Sequence, residues 1–136
     1  MPVLPLDDRS VARAIEALRS GSPIVIPAPS PLAYAITGTQ AAEVNTAKER
    51  PASQPVGVSV ADIEVVAPYL DLAAGTLPLA RWLCESELVS LLVPVRPRTP
   101  AWLAPAIWGG MVFFTSTPWL DKTATIIDTF GYPRVR

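Results

Sequence analysis

Lys48 and Arg50, one residue apart in Lys48-Glu49-Arg50-Pro51, are the side chains of this sequence best suited to hold an anion. Two cations at the end of a helix that a proline halts make a compact set of charged donors. Upstream stands Pro29-Ser30-Pro31-Leu32-Ala33-Tyr34-Ala35-Ile36 and downstream the apolar run 55–60, so the pair is expected between two strands. In α/β proteins the loops at strand ends are where ligands bind. Ser30 adds a hydroxyl and Tyr34 an aromatic ring to the same region. Each has a plainer role too. The cations complement a helix dipole, Ser30 between two prolines satisfies a turn, and Tyr34 suits a core or a pocket wall.

Composition restricts the chemistry further. The chain has no histidine, which removes Ser-His-Asp and Cys-His nucleophilic catalysis and leaves carboxylate, hydroxyl, lysine and arginine. Its single cysteine, Cys84, rules out an internal disulfide and, without histidine, the usual zinc sets, so no metal site is expected. Within an apolar helix Cys84 reads as a small buried hydrophobe. A formal net charge of −1 excludes a strongly basic RNA binder, and any RNA contact must rest on a local basic patch. Arg96 and Arg98 are read as exposed loop arginines, and Trp102, Trp108 and Trp119 as core or dimer packing before base stacking. No apolar run approaches the roughly 18 residues that span a bilayer, and residues 1–6 lack a basic n-region and an apolar h-region. A soluble, cytoplasmic protein with no membrane partner is expected.

The elements that must position these residues follow from periodicity. At 136 residues and 50% hydrophobic content, one domain over 1–136 is expected, burying roughly two thirds of its unfolded surface. The sixteen prolines fall between periodic segments and so punctuate a fold. Asp7 or Asp8 caps a helix with Val11, Ile15 and Leu18 on its apolar face and Gly21 at its end. Strands are expected at 24–26 and 32–37, a helix over 40–50 stopped by Pro51, and a strand over 56–60. Asp62 is read as the cap of a third helix carrying Ile63, Val66 and Leu70, kinked by Pro68. A helix over 77–84 is expected to turn Leu79, Trp82 and Leu83 inward. Strands over 88–95 and 111–115 follow, then a helix from Pro118 with Leu120, Ala124 and Ile127 inward, and a strand beginning near Tyr132. This alternation predicts an α/β fold, a twisted mixed sheet flanked by helices.

The order of these elements and motifs resembles the YrdC-like family, whose best known members are threonylcarbamoyl-adenylate synthases of tRNA modification. In that family a first strand leads into Pro-Thr-Asp/Glu-Thr-x-Tyr/Phe-Gly-Leu, then a helix ending Lys-x-Arg-Pro, then a strand. Here the order is 24–26, Pro29 to Ile36, Lys48-Glu49-Arg50-Pro51 and 56–60. Arg81-Trp82, the strand over 88–95 and Thr99-Pro100-Ala101-Trp102-Leu103 resemble later family segments, so the likeness runs from about Ala14 onward. It implies a ligand site at Ser30, Tyr34, Lys48 and Arg50, with ATP, threonine and bicarbonate as the substrates of the family reaction.

Departures from the family pattern bear on activity. Pro31 stands where the family has an acidic residue, Ala35 where it has glycine, Glu85-Ser86-Glu87 where it has Pro-Gly-Pro, and Phe113 near its substrate-binding arginine. A nucleotide-holding Ser-x-Ser-Ala-Asn element is expected after Arg134-Val135-Arg136, where the sequence stops, so a fold lacking its last elements is expected. The leading reading is a degenerate YrdC-like module that binds a nucleotide or RNA, such as tRNA or a duplex, without a full catalytic site. A divergent L-threonylcarbamoyladenylate synthase and a structural or regulatory homodimer packed through the Trp-rich C-terminal region are the alternatives.

Overall fold

The computed structural model describes residues 3–5, 7–29, 32–60 and 62–116. Within them the chain is a mixed α/β protein with two sheets. The first helix, α1 (Asp8–Arg19), begins where Asp7 accepts a hydrogen bond from the Ser10 amide at 2.8 Å and buries Leu18. Its end is a Schellman motif: the Gly21 amide donates to the Leu18 carbonyl and the Ser22 amide to the Ala17 carbonyl, with Gly21 at φ 84. The chain then forms an antiparallel hairpin of β1 (Ile24–Pro29) and β2 (Leu32–Thr37), with Ile24 opposite Thr37 and Pro29 opposite Leu32. Two prolines within β1 suit an edge strand, and β1 is one.

The next helix, α2 (Ala41–Ala47), is shorter than its apolar pattern suggests and does not wait for Pro51. Lys48 is its C-cap and Glu49, at φ 54, takes the left-handed position that Gly21 takes after α1. The Glu49 amide donates to the Thr46 carbonyl and the Arg50 amide to the Asn45 carbonyl, which completes a second Schellman motif. This motif ends the helix at Ala47, four residues before the proline.

A second sheet follows, ordered β3 (Val58–Val60), β6 (Met111–Ser116), β4 (Leu91–Pro94), with β5 (Ile107–Trp108) also paired to β6. β3 runs parallel to β6, and β4 and β5 run antiparallel to it. One face of this sheet carries Val58, Val60, Val93, Val112 and Phe114 into the main core, where they meet Ile63, Val66, Leu70, Cys84 and Leu103. Fully burying side chains of this size stabilises the fold by about 1.5–3 kcal/mol each. A smaller core of Leu18 and Ile26, flanked by Val11 and Ile15, joins α1 to the hairpin.

Several expected elements take other forms. The segment after Asp62 is two 3₁₀ turns, Ile63–Val65 and Ala67–Tyr69, because Pro68 removes an amide that a continuous α-helix needs. Asp62 still caps it, and Ile63, Val66 and Leu70 are still buried. The helix α3 (Leu77–Arg81) passes into a π-turn over Trp82–Ser86, closed by the Glu87 amide donating to the Trp82 carbonyl at 3.1 Å. Its buried positions are Ala80 and Cys84, whereas Leu79 and Trp82 are about half exposed, the reverse of the expected apolar side. Small side chains four residues apart let the segment approach the core closely, and the larger ones are left outside. The strand expected over 88–95 is confined to β4, since Leu88 has a left-handed φ of 55. The stretch after Pro100 is a 3₁₀ helix over Ala101–Ala106. The helix expected from Pro118, Trp119 and the strand near Tyr132 lie outside the described residues.

Glu49→Gly should raise stability by up to about 1 kcal/mol, because glycine adopts the left-handed C′ conformation without the Cβ clash, less its larger entropy loss on folding. Urea unfolding of the two proteins measures the difference. An unchanged or lowered midpoint would show that Glu49 carries no strain in this turn.

Candidate functional site

Lys48 opens onto a cleft of about 210 Å³ between the hairpin and the second sheet. β2 and the residue after it contribute Ala35 to Gly38, α2 contributes Ala41 and Val44, and β3 with its approach contributes Val56 to Ser59. From β6 only the alternate residues Phe113 and Thr115 line it, as expected for a strand presenting one face. No backbone hydrogen bond joins β2 to β3 among the described residues, so the cleft separates two sheet edges. Gly57 is required at its floor. A Cβ there would lie 2.8 Å from Cδ1 of Phe113, so the absence of a side chain is what lets the aromatic ring lie over β3.

The four residues singled out in sequence have different fates. Lys48 lines the cleft, and no acidic side chain lines it with Lys48. Partial burial and then the neighbouring Arg50 charge lower the Lys48 pKa from the ordinary lysine value. Both causes disfavour the charged ammonium, and the attraction of an anionic ligand would offset them. Arg50 turns elsewhere. Its Nη2 donates to Oδ1 of Asn45 at 2.8 Å, and its Nε is buried without a partner among the described residues. Tyr34 is 82% exposed and does not line the cleft, which corrects its expected place in a core or pocket wall. It stands on β2 one residue before the cleft-lining stretch, opposite Pro27. Ser30 lies outside the described residues.

Asn45 is the residue that organises this corner. It is completely buried and uses its whole amide: Nδ2 donates to the carbonyls of Ala52 at 3.2 Å and Gln54 at 2.8 Å, while Oδ1 receives Arg50. The loop after α2 is therefore fastened back onto the helix, and the direction in which Lys48 leaves the helix is fixed. Sequence reading passed over Asn45 because it sits inside an apolar helical pattern. No local signal marks it, because the Schellman motif whose C3 site it occupies has Glu49 where a glycine would be the cue. Thr37, Ser59 and Thr115, the hydroxyl residues of the cleft wall, were also not singled out.

A second polar cluster is structural. Arg81 pairs with Asp62 at 3.2 Å, with Glu85 at 3.4 Å and with Glu64, and Glu85 also accepts the Ile63 amide at 3.0 Å. These contacts tie the π-turn to the 3₁₀ segment. Among the described residues no group of three His, Cys, Asp or Glu side chains is arranged to hold a metal ion.

Fold and cleft together define a mixed α/β protein with a small cationic cleft between a hairpin and a mixed sheet. No protein-family model matches the chain, and no curated protein matches it at a significant level. Among the described residues no helix is long and apolar enough to cross a membrane. Chemically, the cleft offers one ammonium and several hydroxyl-bearing residues, with no carboxylate in its lining to act as a base. Such a lining suits binding an anion better than transferring a proton.

Two substitutions test this construction. Asn45→Ala leaves two carbonyls and a guanidinium without their partner and should cost about 3 kcal/mol in urea unfolding; a cost under about 1 kcal/mol would mean the loop is held by other contacts. Gly57→Ala should destabilise by about 1–3 kcal/mol through overpacking against Phe113, and adding Phe113→Ala should recover most of the loss. Simple additivity of the two changes would rule out that contact as the cause.

Proposed function

We propose that the chain is a YrdC-like domain that binds the phosphates of a nucleotide or of RNA in the Lys48 cleft, without a complete catalytic site. The observation that carries this reading is Lys48 itself: a solvent-accessible cation on the wall of a cleft that has no acidic side chain in its lining. An ammonium placed in this way gains from a ligand anion what the protein does not supply. The order of hairpin, helix, basic pair and parallel-paired strand adds the family resemblance to that chemistry. ATP and tRNA are the ligands the resemblance suggests, in a cytoplasmic setting.

The synthase reading has less support. Holding a triphosphate beside a carboxylated amine calls for several converging cations. Arg50 is occupied by Asn45, and Phe113 stands near the expected position of the family's substrate-binding arginine.

Titration of the full chain with ATP and with tRNA at several salt concentrations tests the proposal. Binding that weakens as salt rises, and an affinity about tenfold lower in Lys48→Ala, are expected. As pH rises, ATP affinity should begin to fall before the ordinary lysine range is reached, because the lowered pKa lets Lys48 lose its proton early. Absent or salt-insensitive binding, or an unchanged Lys48→Ala variant, would overturn it. Threonine- and bicarbonate-dependent release of pyrophosphate from ATP would replace the binding module with the enzyme.

A further inference from the structure

The sheet face that continues from the cleft is aromatic and open. Cross-strand partners share a face, and the pairings Leu92 with Phe113, Pro94 with Met111 and Trp108 with Met111 place these residues together on the side opposite the main core. Three of them are exposed hydrophobics: Trp108 at 74%, Leu92 at 57% and Phe113 at 46%. β3 and β5 are both paired to β6, β5 at Met111 and Val112 and β3 from Phe114 onward. The Val56 amide, at the cleft, donates to the carbonyl of Pro105 in the turn that leads into β5. Trp108 therefore follows the cleft along one strand. With a rise of about 3.4 Å per residue and about 4.8 Å between strands, Phe113 and Trp108 are anchored roughly 8 Å apart.

The turn holding Trp108 is well defined. Gly109 and Gly110 have φ values of 58 and 74, which only a glycine pair adopts freely, and this makes the two-residue connection between β5 and β6. The Gly110 carbonyl accepts the Val95 amide at 2.9 Å, so the hairpin tip is joined to the strand end from which Arg96 and Arg98 continue. Arg96 is steadied by an Nε bond to the Leu70 carbonyl at 3.0 Å. The Asp71 amide bonds the Pro94 carbonyl at 2.8 Å, which fastens the neighbouring segment to the end of β4.

We propose that this face binds a single-stranded nucleic acid, with bases stacked on Phe113 and Trp108 and phosphates directed to Lys48 at one end and to the Arg96–Arg98 loop at the other. Aromatic rings standing on a sheet between cations are a sequence-tolerant platform for unpaired bases, because every base has a flat face. Duplex nucleic acid hides those faces and gains nothing from the rings. The proposal rests on the cleft reading for its first phosphate and extends it from a nucleotide to a polymer.

Binding of ATP, of a single-stranded uridine octamer and of a twelve-base-pair RNA duplex to the full chain tests it. The octamer should bind at least tenfold tighter than the duplex. Trp108→Ala should cut octamer affinity about tenfold or more with ATP affinity unchanged, while Trp108→Phe keeps most of it. Phe113→Ala should weaken the octamer as well. Equal affinity for octamer and duplex, or an octamer affinity indifferent to Trp108→Ala, would overturn the proposal. So would a concentration-dependent dimer that Leu92→Glu dissociates, since the face would then belong to a second copy. ATP bound without the octamer defeats this inference alone; neither bound defeats the cleft reading with it.

Discussion

The buried amide of Asn45 is the constraint on which the cleft depends. A side chain sealed from water must satisfy its own donors and acceptor inside the protein, and Asn45 does so by drawing in two carbonyls of the following loop and one guanidinium. Three parts of the structure are fixed by that requirement. The helix stops where it does, Arg50 is directed inward, and Lys48 is left facing the cleft. The two cations that look equivalent in sequence are thereby separated into one that builds and one that faces the cleft.

Strain is tolerated at the same corner. α1 and α2 end in the same hydrogen-bonding motif, yet the left-handed residue is Gly21 in one and Glu49 in the other. A non-glycine residue in that conformation costs about a kilocalorie per mole. The bonds of Asn45, together with those of the motif itself, offset it. Cleft geometry is thus specified by polar contacts, while the main core on the far side of the second sheet is specified by packing of valine, leucine and phenylalanine.

Much of this was legible in the sequence where one local signal acted alone. The cap at Asp7, the face containing Leu18, the stop at Gly21 and the strands expected at 24–26, 32–37 and 111–115 follow from capping and periodicity, although β1 runs on through its prolines to Pro29. The sequence was less informative where neighbours decide. α2 ends before Pro51 because a Schellman motif intervenes, and motifs of that kind are obscured when the left-handed residue is not glycine. Trp82 and Leu79 look like an apolar face, but the small pair Ala80 and Cys84 packs closer. Lys48 was expected beside an open site, and it lines the cleft. The diversion of Arg50 was not expected, because it depends on a buried asparagine that helical periodicity gives no reason to notice. The exposure of Tyr34 depends on which face of the hairpin is covered: its neighbour Ala35 packs on the core of Leu18 and Ile26, so Tyr34 points the other way, and that is a tertiary fact.

The break between β2 and β3 bears on how evenly this protein resists opening. Sheets that share no backbone hydrogen bond are not obliged to unfold together, and their cores differ greatly in size: Leu18 and Ile26 on one side, a large cluster on the other. Amide exchange and proteolysis in such an arrangement begin in the smaller unit. The α1–hairpin layer is then the less protected half, and one wall of the cleft belongs to it. Occupancy of the cleft would be registered as slower exchange in that layer, which makes the hairpin a reporter of whatever the second sheet holds.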